Sequence, residues 1–317
     1  MTPSISVIIT TYEKPDLLEQ AVRSVLAQTV KPSEIIVVDD GSGPATRDVV
    51  HGFASDMVTH AWQPNSGGPA GPRNTGWMAA RGEWVAFLDD DDLWHPRKLE
   101  ACASALRSFP HADILYHPLE TFSDNPKHGR SASRLVGGRE LPEQAHQCLL
   151  DTGFVPLPSS LLVRKGVFQS VGGFDIDPDL VAAEDLDFAI RAAMAGCRFA
   201  FIPEVLARYR VSGAHLSSAK RTVRFAPVLR YRYFADRSLA ACPDWLVRWL
   251  LSSNLRQMRF GEAVRLASEI RSTQGTLGAA ARILRCYMQG GKQAPQEQRD
   301  SLRPHHAARW QKEARAD

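Results

Sequence analysis

The chain is 317 residues long, with a formal net charge of +3 and ordinary apolar and charged fractions of 44% and 23%, which suits a large soluble domain with an appendage. No run reaches about 18 uninterrupted apolar residues and no basic segment precedes the first apolar run, so neither a transmembrane helix nor a signal peptide is expected, and the expected location is the cytoplasm. Five scattered cysteines (Cys102, Cys148, Cys197, Cys242 and Cys286), odd in number and without a CxxC pair, fit reduced structural thiols and argue against zinc.

The charge is unevenly spread. Residues 1–219 hold 19 Lys and Arg against 27 Asp and Glu, whereas residues 220–317 hold 19 against 8. That split predicts two functional regions, 1–219 and 220–317.

Ile5-Ser6-Val7-Ile8-Ile9-Thr10 reads as a buried strand, and Thr11-Tyr12-Glu13-Lys14 as the loop at its carboxyl end. Pro15-Asp16 opens a helix with Leu17, Leu18, Ala21, Val22, Val25 and Leu26 at helical spacing. Glu34-Ile35-Ile36-Val37-Val38 is a second strand, running into Asp39-Asp40-Gly41-Ser42, where an Asx-turn is the structural alternative to ligand binding. After a helix and short strand over 49–58, a Gly- and Pro-rich loop at 65–72 leads to a helix entered by Arg73-Asn74. Trp84-Val85-Ala86-Phe87-Leu88 is the next strand and runs straight into Asp89-Asp90-Asp91-Asp92. Adjacent carboxylates repel, by about 1 kcal/mol at 4 Å in water and more near a protein surface, so the cluster calls for a cation or hydrogen-bond donors. Asp92 is expected to cap the following helix, with Pro96 in its first turn.

Strand–helix alternation predicts an α/β, mostly parallel sheet flanked by helices. Three strands each deliver polar residues at their carboxyl ends, where the ligand crevice of such a sheet lies. The ordered set Val7-Ile8-Ile9-Thr10-Thr11-Tyr12, Val37-Val38-Asp39-Asp40-Gly41-Ser42, Asn65-Ser66-Gly67-Gly68 with Arg73-Asn74-Thr75-Gly76, and Phe87-Leu88-Asp89-Asp90-Asp91-Asp92 resembles family 2 glycosyltransferases of the GT-A fold over roughly residues 4–215. The resemblance implies a nucleotide-diphosphate sugar donor, a divalent metal (Mn²⁺ or Mg²⁺) at an Asp-x-Asp motif, and inversion at the anomeric carbon. It implies metal contact by Asp89 and Asp91, with Asp91 the first choice. It also implies donor binding by Thr11, Tyr12 (against the base), Glu13, Asp39 (accepting a base N–H), Asp40, Arg73 and Asp90. Asp39 and the loop chemistry lean towards uridine, hence a UDP-sugar.

Residues 123–138 read as a polar loop over the crevice, 156–164 as a further strand, and Lys165 to Val171 as a short helix closed by Gly172-Gly173. Gly172-Gly173-Phe174-Asp175 with Glu184-Asp185-Leu186-Asp187-Phe188 is the fifth matching block and resembles the Glu-Asp segment that supplies the family's catalytic base. Asp185 is the favoured base beside Glu184; Glu184 and Asp187 also suit a helix N-terminus electrostatically. Late strands follow at 199–202 and 206–210. Arg210 with Ser212, Gly213 and His215 resembles the loop that closes over the diphosphate. Many members have His two residues after the Arg; Ser212 stands there in this chain, and His215 is the candidate third metal ligand.

From Lys220 the pattern is basic and helical, with Trp and Tyr interleaved among Arg. Two readings stand open: peripheral contact with an anionic membrane bearing a lipid-linked or saccharide acceptor, or a helical layer packing its aromatics on the core. No nucleic-acid motif accompanies the charge. The function expected is metal-dependent, inverting sugar transfer in surface polysaccharide or glycolipid assembly. The alternatives are a catalytically idle sugar-nucleotide-binding scaffold and, less favoured, a nucleotidyltransferase, whose Gly-rich basic first loop is not present at residues 10–13.

Overall fold

Strands buried on both faces need near-continuous apolar runs, and that is how Ile5–Thr11, Glu34–Asp39 and Trp84–Asp89 of the first half are written, as in Val7-Ile8-Ile9 and Ile35-Ile36-Val37-Val38. The computed structural model describes residues 3–124, 134–211, 224–256, 261–266 and 268. Its strands are β1 (Ile5–Thr11), β2 (Glu34–Asp39), β3 (Val58–Trp62), β4 (Trp84–Asp89), β5 (Leu93–Trp94), β6 (Ile114–Tyr116), β7 (Leu119–Phe122), β8 (Leu135–Val136), β9 (Leu162–Arg164), β10 (Phe199–Phe201) and β11 (Ala207–Arg210). The helices are α1 (Pro15–Leu26), α2 (Pro44–His51), α3 (Ala70–Ala79), α4 (Lys98–Ser108), α5 (Ala145–Thr152), α6 (Lys165–Val171), α7 (Glu184–Met194), α8 (Phe225–Phe234) and α9 (Asp244–Arg256).

The main sheet runs β10-β6-β9-β4-β1-β2-β3, parallel except for β9, which is antiparallel to both neighbours. Ile8, Ile36, Val38, Val85 and Phe87 face one apolar cluster, while Val7, Ile9, Ile35, Val37, Ala86 and Leu88 face the other. A second sheet, β5-β11-β7-β8, stands beside it. The aspartates at 90–92 are the connection between the two sheets, from the end of β4 to the start of β5.

This connection corrects the expected helix cap. A short strand follows Asp92, and α4 begins only at Lys98, after Arg97. Pairing with β11 draws the chain into the second sheet before a helix can start. The strand expected over 156–164 is a 3-10 turn at Pro158–Ser160 followed by the shorter β9, and α5 was not anticipated. Of the loop expected at 123–138, residues 125–133 lie outside the described residues, and β8 occupies two of the rest.

The turn before α7 is set by aromatic packing. Phe174 lies 4.6 Å from Phe188 and 5.4 Å from Phe87, ring centre to ring centre. Such pairs add about 0.5–1.5 kcal/mol each beyond their burial, so α7 is fixed against β4. Helices α8 and α9 enter the same apolar cluster through Phe225, Leu229, Phe234, Leu246 and Leu250. The packing reading of that region's aromatics is therefore realised for these helices, although Tyr231 remains 80% exposed on α8. Among the described residues no helix is long and apolar enough to cross a membrane, and Cys102, Cys148, Cys197 and Cys242 are not joined in disulfides.

Gly41 closes the turn after β2 with φ +90°, and a Cβ there would meet the Asn65 backbone nitrogen at 2.7 Å. Both the left-handed backbone and the close approach of the 65–68 loop require glycine. Gly41→Ala is expected to lower the unfolding free energy by about 1–3 kcal/mol, measured as a lower denaturant midpoint at unchanged m-value.

Candidate active site

Because β4, β1 and β2 are neighbours in the sheet, their carboxyl ends form one ledge. The four aspartates on it point in different directions. Asp89 Oδ1 accepts from Arg73 Nη2 at 2.8 Å, and its N–H donates to Ser159 Oγ at 3.1 Å. Asp90 turns back onto β1: its Oδ2 accepts from Thr11 Oγ1 at 2.9 Å and from the Tyr12 N–H at 3.3 Å. The ammonium of Lys14 lies between Asp90 Oδ1 (2.9 Å) and Asp91 Oδ2 (2.8 Å). Asp92 is buried, with Oδ1 accepting the Arg210 N–H at 3.0 Å. Burial pushes the Asp90 carboxyl up to about 6 against the pull of Lys14. Burial and then the charges of Asp89 and Asp91 push Asp92 well above the usual carboxylate range.

A buried lysine supports the cluster from beneath. Lys98 Nζ sits 3.7 Å from the centre of the Trp94 ring and donates to the Ser159 carbonyl at 2.7 Å. Trp94 Nε1 donates to the same carbonyl at 2.9 Å. The turn that receives the Asp89 N–H is thereby clamped twice. Burial pushes the Lys98 ammonium down to about 7, against the charge of Asp92.

Arg73 joins the two acidic motifs. It is 3% exposed, and its guanidinium reaches Asp89 through Nη2 and Glu184 Oε1 through Nη1 at 2.7 Å. Glu184 Oε2 accepts the Ala182 N–H at 2.8 Å, so both of its oxygens are engaged. The next residue of α3, Asn74, grips the Phe174 backbone from both sides: Nδ2 donates to the carbonyl at 2.7 Å and Oδ1 accepts the N–H at 2.9 Å. Among the described residues, Asp185 accepts only its neighbour's N–H, from Leu186 at 2.8 Å. Its carboxyl is pushed up to about 7, first by burial and then by the negative charge of Glu184, with Arg73 opposing.

At the β2 end, Asp39 is buried; its Oδ1 accepts the Ser42 N–H at 2.8 Å and its Oδ2 lies 3.3 Å from His60 Nε2. Asp40 accepts from Gln63 Nε2 (2.6 Å) and from the Ser66 N–H and hydroxyl (3.0 Å each), tying β2 to the 65–68 loop. Glu13, at φ 55°, accepts the Gly43 N–H and donates its own N–H to Ser42 Oγ. Tyr12 is 51% exposed, as is 60% of Trp62, which lies opposite Asp39 in the β2–β3 register. Arg210 is buried: Nε donates to the Asp91 carbonyl at 2.7 Å, Nη2 to Gln20 Oε1 at 2.9 Å, and Nη1 pairs with Asp124. Its guanidinium holds the aspartate loop rather than facing open solvent. His215 lies outside the described residues. A cavity of about 290 Å³ is lined by residues 66–71, Asp175 to Pro178, Val181 and Arg224, and meets the site at Glu184.

Sequence reasoning therefore found residues that converge, and it missed some of their partners. Lys14 was in view as the last residue of the first loop, next to the assigned Glu13. Ser159, Lys98 and His60 carry no local signal, because their partners lie 20 to 70 residues away. Among the described residues no group of three or more His, Cys, Asp or Glu side chains is arranged to hold a metal. Asp89 and Asp91, 28% and 21% exposed, each have one carboxylate oxygen paired with a cationic side chain. Two hard oxygen donors of this kind fit Mg²⁺ or Mn²⁺ when substrate phosphates and water complete the shell.

The architecture matches glycosyltransferases of GT-A fold. S. aureus TarS (residues 1–349, solved with UDP-GlcNAc) superposes with a TM-score of 0.59 at 20% identity, covering 90% of this chain and 89% of that one. A mannosyltransferase of Pyrobaculum calidifontis, solved with GDP-Man and Mn²⁺, gives 0.54 at 19% identity, covering 100% and 81%. By sequence, an uncharacterized glycosyltransferase of Nostoc sp. is 36% identical over 228 residues, 69% of this chain and 68% of its own length. The succinoglycan biosynthesis protein ExoW of Rhizobium meliloti is 42% identical over 212 residues, 61% and 65%. The profile described as Glycosyl transferase family 2 matches residues 6–171, over half of the chain, which accordingly belongs to that family.

Proposed function

We propose that this glycosyltransferase moves a sugar from a nucleotide-diphosphate donor to a hydroxyl acceptor in one displacement, with inversion at the anomeric carbon. One observation carries the reading. A single buried guanidinium, Arg73, spans Asp89 and Glu184, so the aspartate ledge and the first turn of α7 are held beside each other. Glu184 is spent on that bridge and on Ala182. Asp185 is the carboxylate left for the proton, and its raised pKa suits a base working near neutrality.

In the proposed step the acceptor hydroxyl gives its proton to Asp185 as its oxygen bonds to C1. The bond from C1 to the β-phosphate oxygen breaks, and the nucleoside diphosphate leaves. A divalent cation at Asp91 and Asp89 would supply positive charge for the leaving diphosphate. Lys14 neutralises Asp90 and Asp91 and has to yield part of that contact when a cation approaches. The exposed Tyr12 offers its face to the base beside Asp39, which favours a UDP-sugar; the UDP-GlcNAc bound by TarS supports that choice. Mn²⁺ in the Pyrobaculum structure supports the metal. The role of ExoW in succinoglycan synthesis supports surface polysaccharide or glycolipid assembly, with a saccharide or lipid-linked acceptor. We place the enzyme in the cytoplasm, where the basic region after residue 220 would touch an anionic membrane peripherally.

Nucleoside diphosphates with and without Mn²⁺ test the donor end: UDP with Mn²⁺ at 100 times its dissociation constant should stabilise the fold by about 2.7 kcal/mol, and no shift with any nucleotide would overturn the reading. Asp91→Asn is expected to cut turnover by about 100-fold or more while leaving circular dichroism unchanged, since several kcal/mol of leaving-group stabilisation are lost. Asp185→Asn should cost about 10²–10⁴-fold. In the native protein, transfer should rise with pH through about 7 and then level off, because only ionised Asp185 takes the proton. The sign for stability is opposite: a carboxyl whose folded pKa exceeds its unfolded value favours folding while protonated, and that contribution is lost as pH rises through about 7.

A further inference from the structure

Asp187, two residues after the proposed base, is completely buried and collects three donors from two helices. Tyr233 donates its hydroxyl to Oδ1 at 2.7 Å and Arg232 its Nη1 at 3.1 Å, both from α8. Arg191, one turn along α7, donates Nε to Oδ2 at 2.7 Å and uses its remaining nitrogens on the carbonyls of Val171 and Gly173. Arg232 Nη1 also reaches Asp175 Oδ2 at 2.7 Å, and its Nη2 lies 3.6 Å from Asp177. Asp175 and Asp177 line the same cavity as Glu184.

At 3.6 residues per turn, Asp185 and Asp187 diverge by about 200° around the axis of α7. Holding Asp187 from the α8 side therefore fixes the angle at which Asp185 is presented on the other. We propose that Arg232 and Tyr233 are positioning residues for Asp185, so that a helix of the basic second region sets the placement of the catalytic base. The inference rests on Asp185 being that base. It gives the second region a part in turnover that is separate from any contact with a membrane. Tyr233 acts through Asp187, Arg232 acts through Asp187 together with Asp175 and Asp177, and neither is placed against the donor, so their loss should alter turnover and leave donor binding alone.

Full-length Tyr233→Phe, Arg232→Met and Arg232→Lys test this, with Asp185→Asn measured alongside. Tyr233→Phe removes one hydroxyl and keeps the ring, so a folded variant is secured even if Arg232→Met is unstable. A misplaced base should lower kcat by about 10- to 100-fold, while the donor KM and the UDP dissociation constant stay within roughly twofold. The acid limb of the pH–rate profile should shift, and Arg232→Lys should recover part of the rate. Native kcat and an unshifted pH profile in folded Tyr233→Phe and Arg232→Met, beside an inactive Asp185→Asn, would overturn the positioning role alone. Native turnover in Asp185→Asn would overturn the base assignment and this inference together.

Discussion

Four consecutive carboxylates at the end of a buried strand are the constraint around which the rest of the structure is arranged. At the effective dielectric of a protein surface a pair of like charges 4 Å apart repels by about 4 kcal/mol, so the run cannot be tolerated as a row of equivalent groups. The chain separates them by environment. Asp90 is turned onto β1, Asp92 is buried behind the ledge against β11, and Asp89 and Asp91 keep the more exposed positions. Cationic side chains arrive from the loop after β1 (Lys14), from α3 (Arg73) and from β11 (Arg210), while Lys98 of α4 braces the turn beneath through the Ser159 carbonyl. The order of the sheet, with β4 next to β1, brings the first of these within reach.

Arg73 and Asn74 then carry the arrangement across to α7. A buried arginine is expensive unless its donors are satisfied, and Arg73 meets two carboxylates that would themselves be expensive without it, although its Nε has no partner among the described residues. Asn74 pins the backbone at Phe174, whose ring stacks on Phe188 of α7. Polar and aromatic contacts thus fix the same turn, and Asp185 inherits its position from both. The pieces that looked like separate motifs in the sequence are joined into one hydrogen-bonded frame.

The sheet and helices were legible because burial on both faces leaves a continuous apolar signature, as in Ile5–Thr11 and Trp84–Asp89, and because Gly172-Gly173 marks a helix end. The residues of the ledge were legible as acidic and aromatic side chains at strand ends. What could not be read was the set of pairings. Asp92 carries the local mark of a helix cap, but a two-residue strand in another sheet claims it, and nothing local announces that strand. The arginines assigned to the donor, Arg73 and Arg210, are committed to Asp89, Glu184, Asp124 and the Asp91 carbonyl. Such choices depend on partners beyond any sequence window, as does the reversed direction of β9 between two otherwise parallel neighbours.

The bonds that complete the crevice reach far along the chain: Arg73 to Glu184 spans 111 residues, Arg210 to Asp92 spans 118, and Gln20 to Arg210 spans 190. Synthesis runs from one end only, so the aspartate run leaves the ribosome with Lys14 and Arg73 already made, but long before Glu184 and Arg210. Until Arg210 has emerged, a growing chain can assemble the parallel strands of its first hundred residues, yet its acidic loop lacks the anchor that Arg210 supplies to Asp91 and Asp92. The closed crevice is in this sense a property of the longer polypeptide, and a nascent one presents the same acidic side chains without the place they make together.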